Sequence, residues 1–141
     1  MVILDTNVLS ELMKNNPEGN VIRWMDEKNI EDVYISSITV AEILFGIGSL
    51  PSGRRKTMLT ESAARLFDEI FLHRILSFDS ISAIYYAKIL ILRNTMGSPI
   101  QMADAEIAAI CLANSAALAT RNTKDFIDTG VMLINPWNSP E

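Results

Sequence analysis

The first dozen residues constrain the fold more than any other stretch. Val2-Ile3-Leu4 is a short aliphatic run that ends in a carboxylate, Asp5; Thr6-Asn7 then leads into Val8, Leu9, Leu12 and Met13 at helical spacing. That pattern is a strand feeding a helix, with Asp5 at the strand's carboxyl end. A carboxylate cannot lie deep in an apolar strand without a partner. Asp5 must therefore emerge at the sheet's edge or meet a cation.

The remainder of the chain repeats the alternation. After a turn cluster at Asn15-Asn16-Pro17-Glu18-Gly19-Asn20, the residues Val21, Ile22, Trp24, Met25 and Ile30 predict a short helix. Val33-Tyr34-Ile35 reads as a second strand, and Ser36-Ser37 can cap the next helix, about 38–49, which its aliphatic content predicts to be mostly buried. Pro51-Ser52-Gly53 breaks the chain before an amphipathic helix over 54–71. A short strand is expected within Arg74–Phe78 and a strongly periodic helix over 80–95. Met96-Gly97-Ser98-Pro99 stops that helix, and Asp104 opens an alanine-rich one running to Ala113. Strands are expected at Ala116–Thr120 and Val131–Ile134. Short strands alternating with helices predict a three-layer α/β/α fold with a central parallel sheet covered on both faces. At 141 residues the chain reads as a single domain, 1–141.

Composition excludes several function classes. No apolar run approaches the roughly 18 residues of a membrane span, and the N-terminus lacks the pattern of a signal peptide, so a cytoplasmic protein without membrane association is expected. Cys111 is the only cysteine and His73 the only histidine, which rules out an intrachain disulfide and any multi-histidine or thiolate metal site within one chain. Cys111 lies in an apolar helix and reads as a buried, inert thiol. A net charge of −5 argues against indiscriminate nucleic-acid binding unless several acids are metal ligands, because bound divalent ions reverse the local sign. Arg54-Arg55-Lys56 is the only concentrated basic patch, either a solvated helix start or a phosphate contact.

Four acids form the candidate site. Each has a structural explanation alone: Asp5 and Asp104 complement helix N-termini, Thr39-Val40-Ala41-Glu42 matches a capping box, and Asp125 suits a turn. Their joint placement says more. In a parallel α/β sheet all strands end, and all crossover helices begin, at one edge, where open α/β folds bind ligands. Asp5 ends a strand, Glu42 and Asp104 lie near helix starts, and Asp125 follows a strand end. Converging carboxylates repel one another unless a counter-ion intervenes. All-oxygen ligation with retained waters suits Mg²⁺ or Mn²⁺ rather than zinc. An acidic rim holding such an ion performs metal-dependent phosphoryl transfer or hydrolysis. Spacing alone does not specify RNA.

Leu4-Asp5-Thr6-Asn7, Glu42 within Ser37-Ile38-Thr39-Val40-Ala41-Glu42, Asp104 leading Ile107-Ala108-Ala109, and Ala119-Thr120-Arg121-Asn122 together resemble the PIN-domain ribonucleases. The resemblance is closest to the VapC toxins of toxin–antitoxin pairs, including the FitB and StbB branch, whose terminal Asn-Pro-Trp is matched by Asn135-Pro136-Trp137. It covers essentially the whole chain. It implies a PIN-like fold and a Mg²⁺- or Mn²⁺-dependent endoribonuclease acting on an RNA substrate. It also implies inhibition by a cognate antitoxin with a DNA-binding half. Asp5 and Asp104 would be the principal metal ligands and Glu42 would complete the pocket. Thr6 and Thr120 would orient carboxylates. FitB-like members often carry an acid directly after Thr-Arg, where this chain has Asn122, so either Asn122 or Asp125 would fill the fourth position. A homodimer is expected, from Phe45-Gly46-Ile47-Gly48 and the aliphatic faces of residues 54–71, part of which would receive an antitoxin helix.

Two other readings make different predictions. A haloacid-dehalogenase-type phosphatase would use Asp5 as nucleophile, but Asp5-Thr6-Asn7 lacks the second acid of the Asp-x-Asp pattern that such enzymes show. A catalytically silent PIN-like domain that only binds a partner protein would bind no divalent ion.

Overall fold

The computed structural model describes residues 1–138. Five parallel strands, β1 (Val2–Leu4), β2 (Val33–Ser36), β3 (Ile75–Leu76), β4 (Ala117–Ala119) and β5 (Leu133–Ile134), lie in the order β3-β2-β1-β4-β5. Six helices connect or flank them: α1 (Thr6–Leu12), α2 (Gly19–Asp26), α3 (Ser37–Gly48), α4 (Arg54–Arg65), α5 (Ser80–Thr95) and α6 (Met102–Ala113). The molecule is the three-layer α/β/α fold with a central parallel sheet that the alternation predicts.

The two-residue period of the strands divides the core. Val2 and Leu4 of β1, with Val33 and Ile35 of β2 and Ala119 of β4, face a cluster built with Val8, Leu9, Val21, Trp24, Ile43 and Ile47 from α1, α2 and α3. Ile3 and Leu118 face the other way, onto Ile89 of α5 and Ala105, Ile107, Ala108 and Cys111 of α6. The alanines let α6 lie close to the sheet. Cys111 is fully buried there, and burial pushes its thiol pKa up, as an inert thiol requires.

Several local details differ from the sequence reading. The 54–71 helix is α-helical only to Arg65; Leu66–Ile70 form a π turn, closed by the Phe71 N–H donating to Leu66 O at 2.8 Å. Ile30 belongs to a 3₁₀ turn, Ile30–Asp32, instead of extending α2. The last strand is only Leu133–Ile134, paired with Leu118 and Ala119 of β4. On α3, Leu44 is 50% and Phe45 78% exposed, so this helix is not mostly buried. It lies on the outer layer, where Thr39, Ile43 and Ile47 are buried and Ile38 and Val40 pack at the edge of the core.

Strand order places the opening. The chain moves from β1 outward through β2 to β3, then returns to add β4 on the other side of β1. The reversal leaves a crevice at the carboxyl ends of β1 and β4, where connections diverge.

Candidate active site

Asp5 follows β1 directly and caps α1, its Oδ1 accepting from the Thr6 N–H at 2.8 Å. It is 5% exposed. Thr120, immediately after β4, donates its hydroxyl to Asp5 Oδ2 at 2.7 Å, and Asn7 Nδ2 donates to the same oxygen at 3.2 Å. The Thr120 bond spans the β1–β4 crevice. Burial still raises the Asp5 carboxyl above its ordinary range, with the three donors pulling the other way and Glu42 adding repulsion.

The Thr39–Glu42 capping box is not formed. Ser36 caps α3 instead, its Oγ accepting from the Thr39 N–H at 3.2 Å. Glu42, exposed and one turn further on, accepts the Thr6 hydroxyl at 2.6 Å through Oε1. A carboxylate only accepts, so Thr6 is the donor and Thr39 in turn donates to Thr6, 2.9 Å away. The chain Thr39–Thr6–Glu42 thus aims Glu42 from the α3 side towards the end of β1.

Asp104 approaches from the opposite face, in the first turn of α6. It is half-buried, and among the described residues no hydrogen-bond donor reaches its carboxylate. Its pKa rises to about 6, first through burial and then through repulsion from Asp5, Asp125 and Glu42, with Arg93 opposing. The four acids therefore share one electrostatic neighbourhood. Asp125 lies exposed in the 3₁₀ turn Thr123–Phe126, which packs on α6. Asn122 is also exposed; its backbone N–H donates to Thr120 Oγ1 at 3.1 Å, and no hydrogen bond to its side chain is formed among the described residues. Among the described residues no three His, Cys, Asp or Glu side chains are arranged to share one metal ion.

Two participants escape a reading of the sequence. Asn7 bridges the crevice, bonding Asp5, Thr120 Oγ1 at 3.3 Å and, through its carbonyl, the Arg121 N–H at 3.2 Å. Its position two residues after a strand-ending acid is a weak signal. Arg93 is 6% exposed at the end of α5. Its signal is stronger: it follows the buried Ile89 by four residues, on a stripe where periodicity demands an apolar side chain.

Comparisons with known proteins identify the family. The PIN domain family matches residues 2–131 of the chain. Plasmid stability protein StbB of Pseudomonas syringae pv. tomato is 41% identical over 139 residues, covering 99% of this chain and 100% of the relative. VapC ribonuclease Y4jK of Sinorhizobium fredii is 41% identical over 140 residues, covering 97% and 98%. The solved structure of FitAB bound to an IR36 DNA fragment contains a chain that superposes with a TM-score of 0.93. That chain is 40% identical, and the match covers 100% of this chain and 99% of that one. The chain belongs to the PIN-domain family, among the VapC-type toxins of toxin–antitoxin systems and beside their FitB- and StbB-like members.

Proposed function

We propose that this protein is a Mg²⁺- or Mn²⁺-dependent endoribonuclease, the toxin of its toxin–antitoxin pair, and that it cuts RNA phosphodiester bonds at the rim of Asp5, Glu42, Asp104 and Asp125. The observation that carries the reading is Asp104: a half-buried carboxylate with a raised pKa and three acidic neighbours, which no donor among the described residues stabilises. A hard cation answers every part of that description. The donor set fits Mg²⁺ or Mn²⁺. These ions are held through one or two carboxylates while waters and substrate phosphate complete the shell, so Asp5 and Asp104 suffice as protein ligands without a cage of three.

The side chains divide the work. Asp5 is oriented by Thr120, Asn7 and the Thr6 N–H, which leaves part of its acceptor capacity for a ligand. Glu42 is aimed by Thr6 through Oε1, and its Oε2 is the atom able to take a proton from an attacking water. Asp125 supplies the fourth negative charge; Asn122 supplies none. A bound divalent ion would activate water, orient the phosphate and offset charge on the leaving oxygen.

The ribonuclease reading is supported by the relative named as a VapC ribonuclease, and the antitoxin by the FitAB complex. A groove of about 850 Å³ beside Glu42, between α1, α3 and α4, suits the antitoxin. Ile43, Ile47, Leu50 and Met58 form its apolar lining, with Arg54 and Arg55 at one side. An amphipathic helix with acidic flanks fits such a surface. The exposed Phe45 of α3 and Ile84 and Ile91 of α5 support a homodimer, to be checked by light scattering at micromolar concentration.

The test is cleavage of total RNA by antitoxin-free protein with Mn²⁺, with Mg²⁺ and with EDTA, alongside Asp5→Asn. Metal-dependent products absent from the variant are expected. No cleavage and no Mn²⁺ binding by calorimetry would overturn the enzyme and leave the silent partner-binding domain.

A further inference from the structure

Arg93 is a buried cation whose partners are not carboxylates. Nε donates to Ser98 O at 2.7 Å, Nη2 to Ser98 Oγ at 3.3 Å, and Nη1 to the carbonyls of Asp125 at 3.1 Å and Ile127 at 2.9 Å. The one ion pair among the described residues is Lys14–Glu11, elsewhere on the molecule. Burying a charge without a counter-charge is costly, so a stripe position filled by arginine requires a compensating field. Its charge is felt in the site: Arg93 opposes the repulsion that raises Asp104.

Arg93 joins three segments, the third far along the chain from the other two. One is the end of α5, one the turn before α6, and one the 3₁₀ turn that carries Asp125. That last turn is short: Phe126 anchors it in the core while Asp125 stays exposed, and the Arg93 bonds to the Asp125 and Ile127 carbonyls hold the backbone on both sides of that anchor. Only a planar fork with donors on several edges can bind all these carbonyls at once; a lysine ammonium keeps the charge and loses the fork.

We propose that Arg93 is a positioning residue of the acidic site, clamping the Thr123–Ile127 segment so that Asp125 stays beside Asp104 and replaces the acid missing at Asn122. The clamp rests on the metal-site reading only in making Asp125 a site acid. Arg93 touches no substrate and acts through the loop.

A double-mutant cycle between Arg93→Lys and Asp125→Asn tests it, read first in EDTA. Asp125→Asn removes an anion beside Asp104 and should raise Tm by about 2 °C, a shift that disappears in the Arg93→Lys background. Calorimetry with Mn²⁺ gives the second reading: each single change should weaken binding about 5-fold and the double change by no more than about 2-fold further. A purely structural arginine would lower Tm yet leave the two substitutions independent. An equal Tm rise in both backgrounds, or Mn²⁺ losses that multiply, overturns the clamp. Wild-type protein that binds no Mn²⁺ fails the function proposed above, and the EDTA cycle then decides the clamp alone. If Arg93→Lys does not fold, Ser98→Ala removes one accepting hydroxyl and enters the same cycle.

Discussion

Asp5 and Asp104 are the two carboxylates that burial pushes upward, and their surroundings are opposite. Asp5 is almost wholly buried and held by a backbone N–H, a hydroxyl and an amide. Asp104 is half open and, among the described residues, has no donor. The first acid belongs to the architecture, since its bonds join β1 to β4. The second is tolerated by the architecture at a cost that a cation would remove. An acidic site therefore has a half built by hydrogen bonding and a half left for a ligand.

The largest effects test the ligand role. Asp5→Asn and Asp104→Asn should each reduce metal-dependent RNA cleavage by about 10³-fold or more, because each removes a charge from the proposed ion site. Their stabilities should part. In EDTA, Asp104→Asn should melt higher than wild type, whereas Asp5→Asn should lose about 1–3 kcal/mol, since its new amide faces groups that donate. Both variants melting lower than wild type would break the comparison.

Thr120→Val removes the 2.7 Å donor to Asp5 without touching Asp104. A loss of about 10–100-fold in Mn²⁺ affinity by calorimetry is expected, the usual size for an orienting partner of a ligand. Unchanged affinity would mean that β1 and α1 alone orient Asp5.

A smaller effect appears in pH dependence. Asp104 titrates at about 6 in the folded chain against an ordinary 3.8, so the folded state binds the extra proton between those values. Its contribution to stability is most favourable on the acid side of that window and is lost as pH rises through about 6. The wild-type Tm minus that of Asp104→Asn, both in EDTA, should fall by about 2–4 °C from pH 4 to pH 7, an amount reduced because the group is half open to solvent. A flat difference would remove the repulsion from the account. Smallest of all, Asn122→Ala should change cleavage by less than about 3-fold in kinetic assay, whereas Asp125→Asn should cost clearly more.

Much of this molecule was legible in its sequence. The period of two in Val2–Leu4 and Val33–Ile35 set opposite faces for alternate residues, and helical spacing over 80–95 matches α5 as it stands. The placement of Asp5 at a strand end and of Asp104 in a helix start followed from local pattern, and parallel topology put them on one edge. Apolar content predicts a mostly buried helix over 38–49, yet Leu44 and Phe45 are exposed, the latter within the expected partner surface: content says how much a helix could bury, while the layers around it decide how much is covered. Glu42 fits a cap as readily as a site acid in the sequence, because the capping box is a spacing rule. Only the approach of Thr6, thirty-six positions earlier in the chain, shows what its carboxylate bonds to instead.

What the sequence determined by itself is the set of elements and the acids attached to their ends, because period and end signals are local. What the tertiary structure decided is the company each acid keeps. Thr120 lies 115 positions from Asp5, and Arg93 lies 32 from the Asp125 carbonyl that it binds. Burial, donor geometry and repulsion between acids depend on distances across the crevice, and no pattern within a strand or helix encodes those.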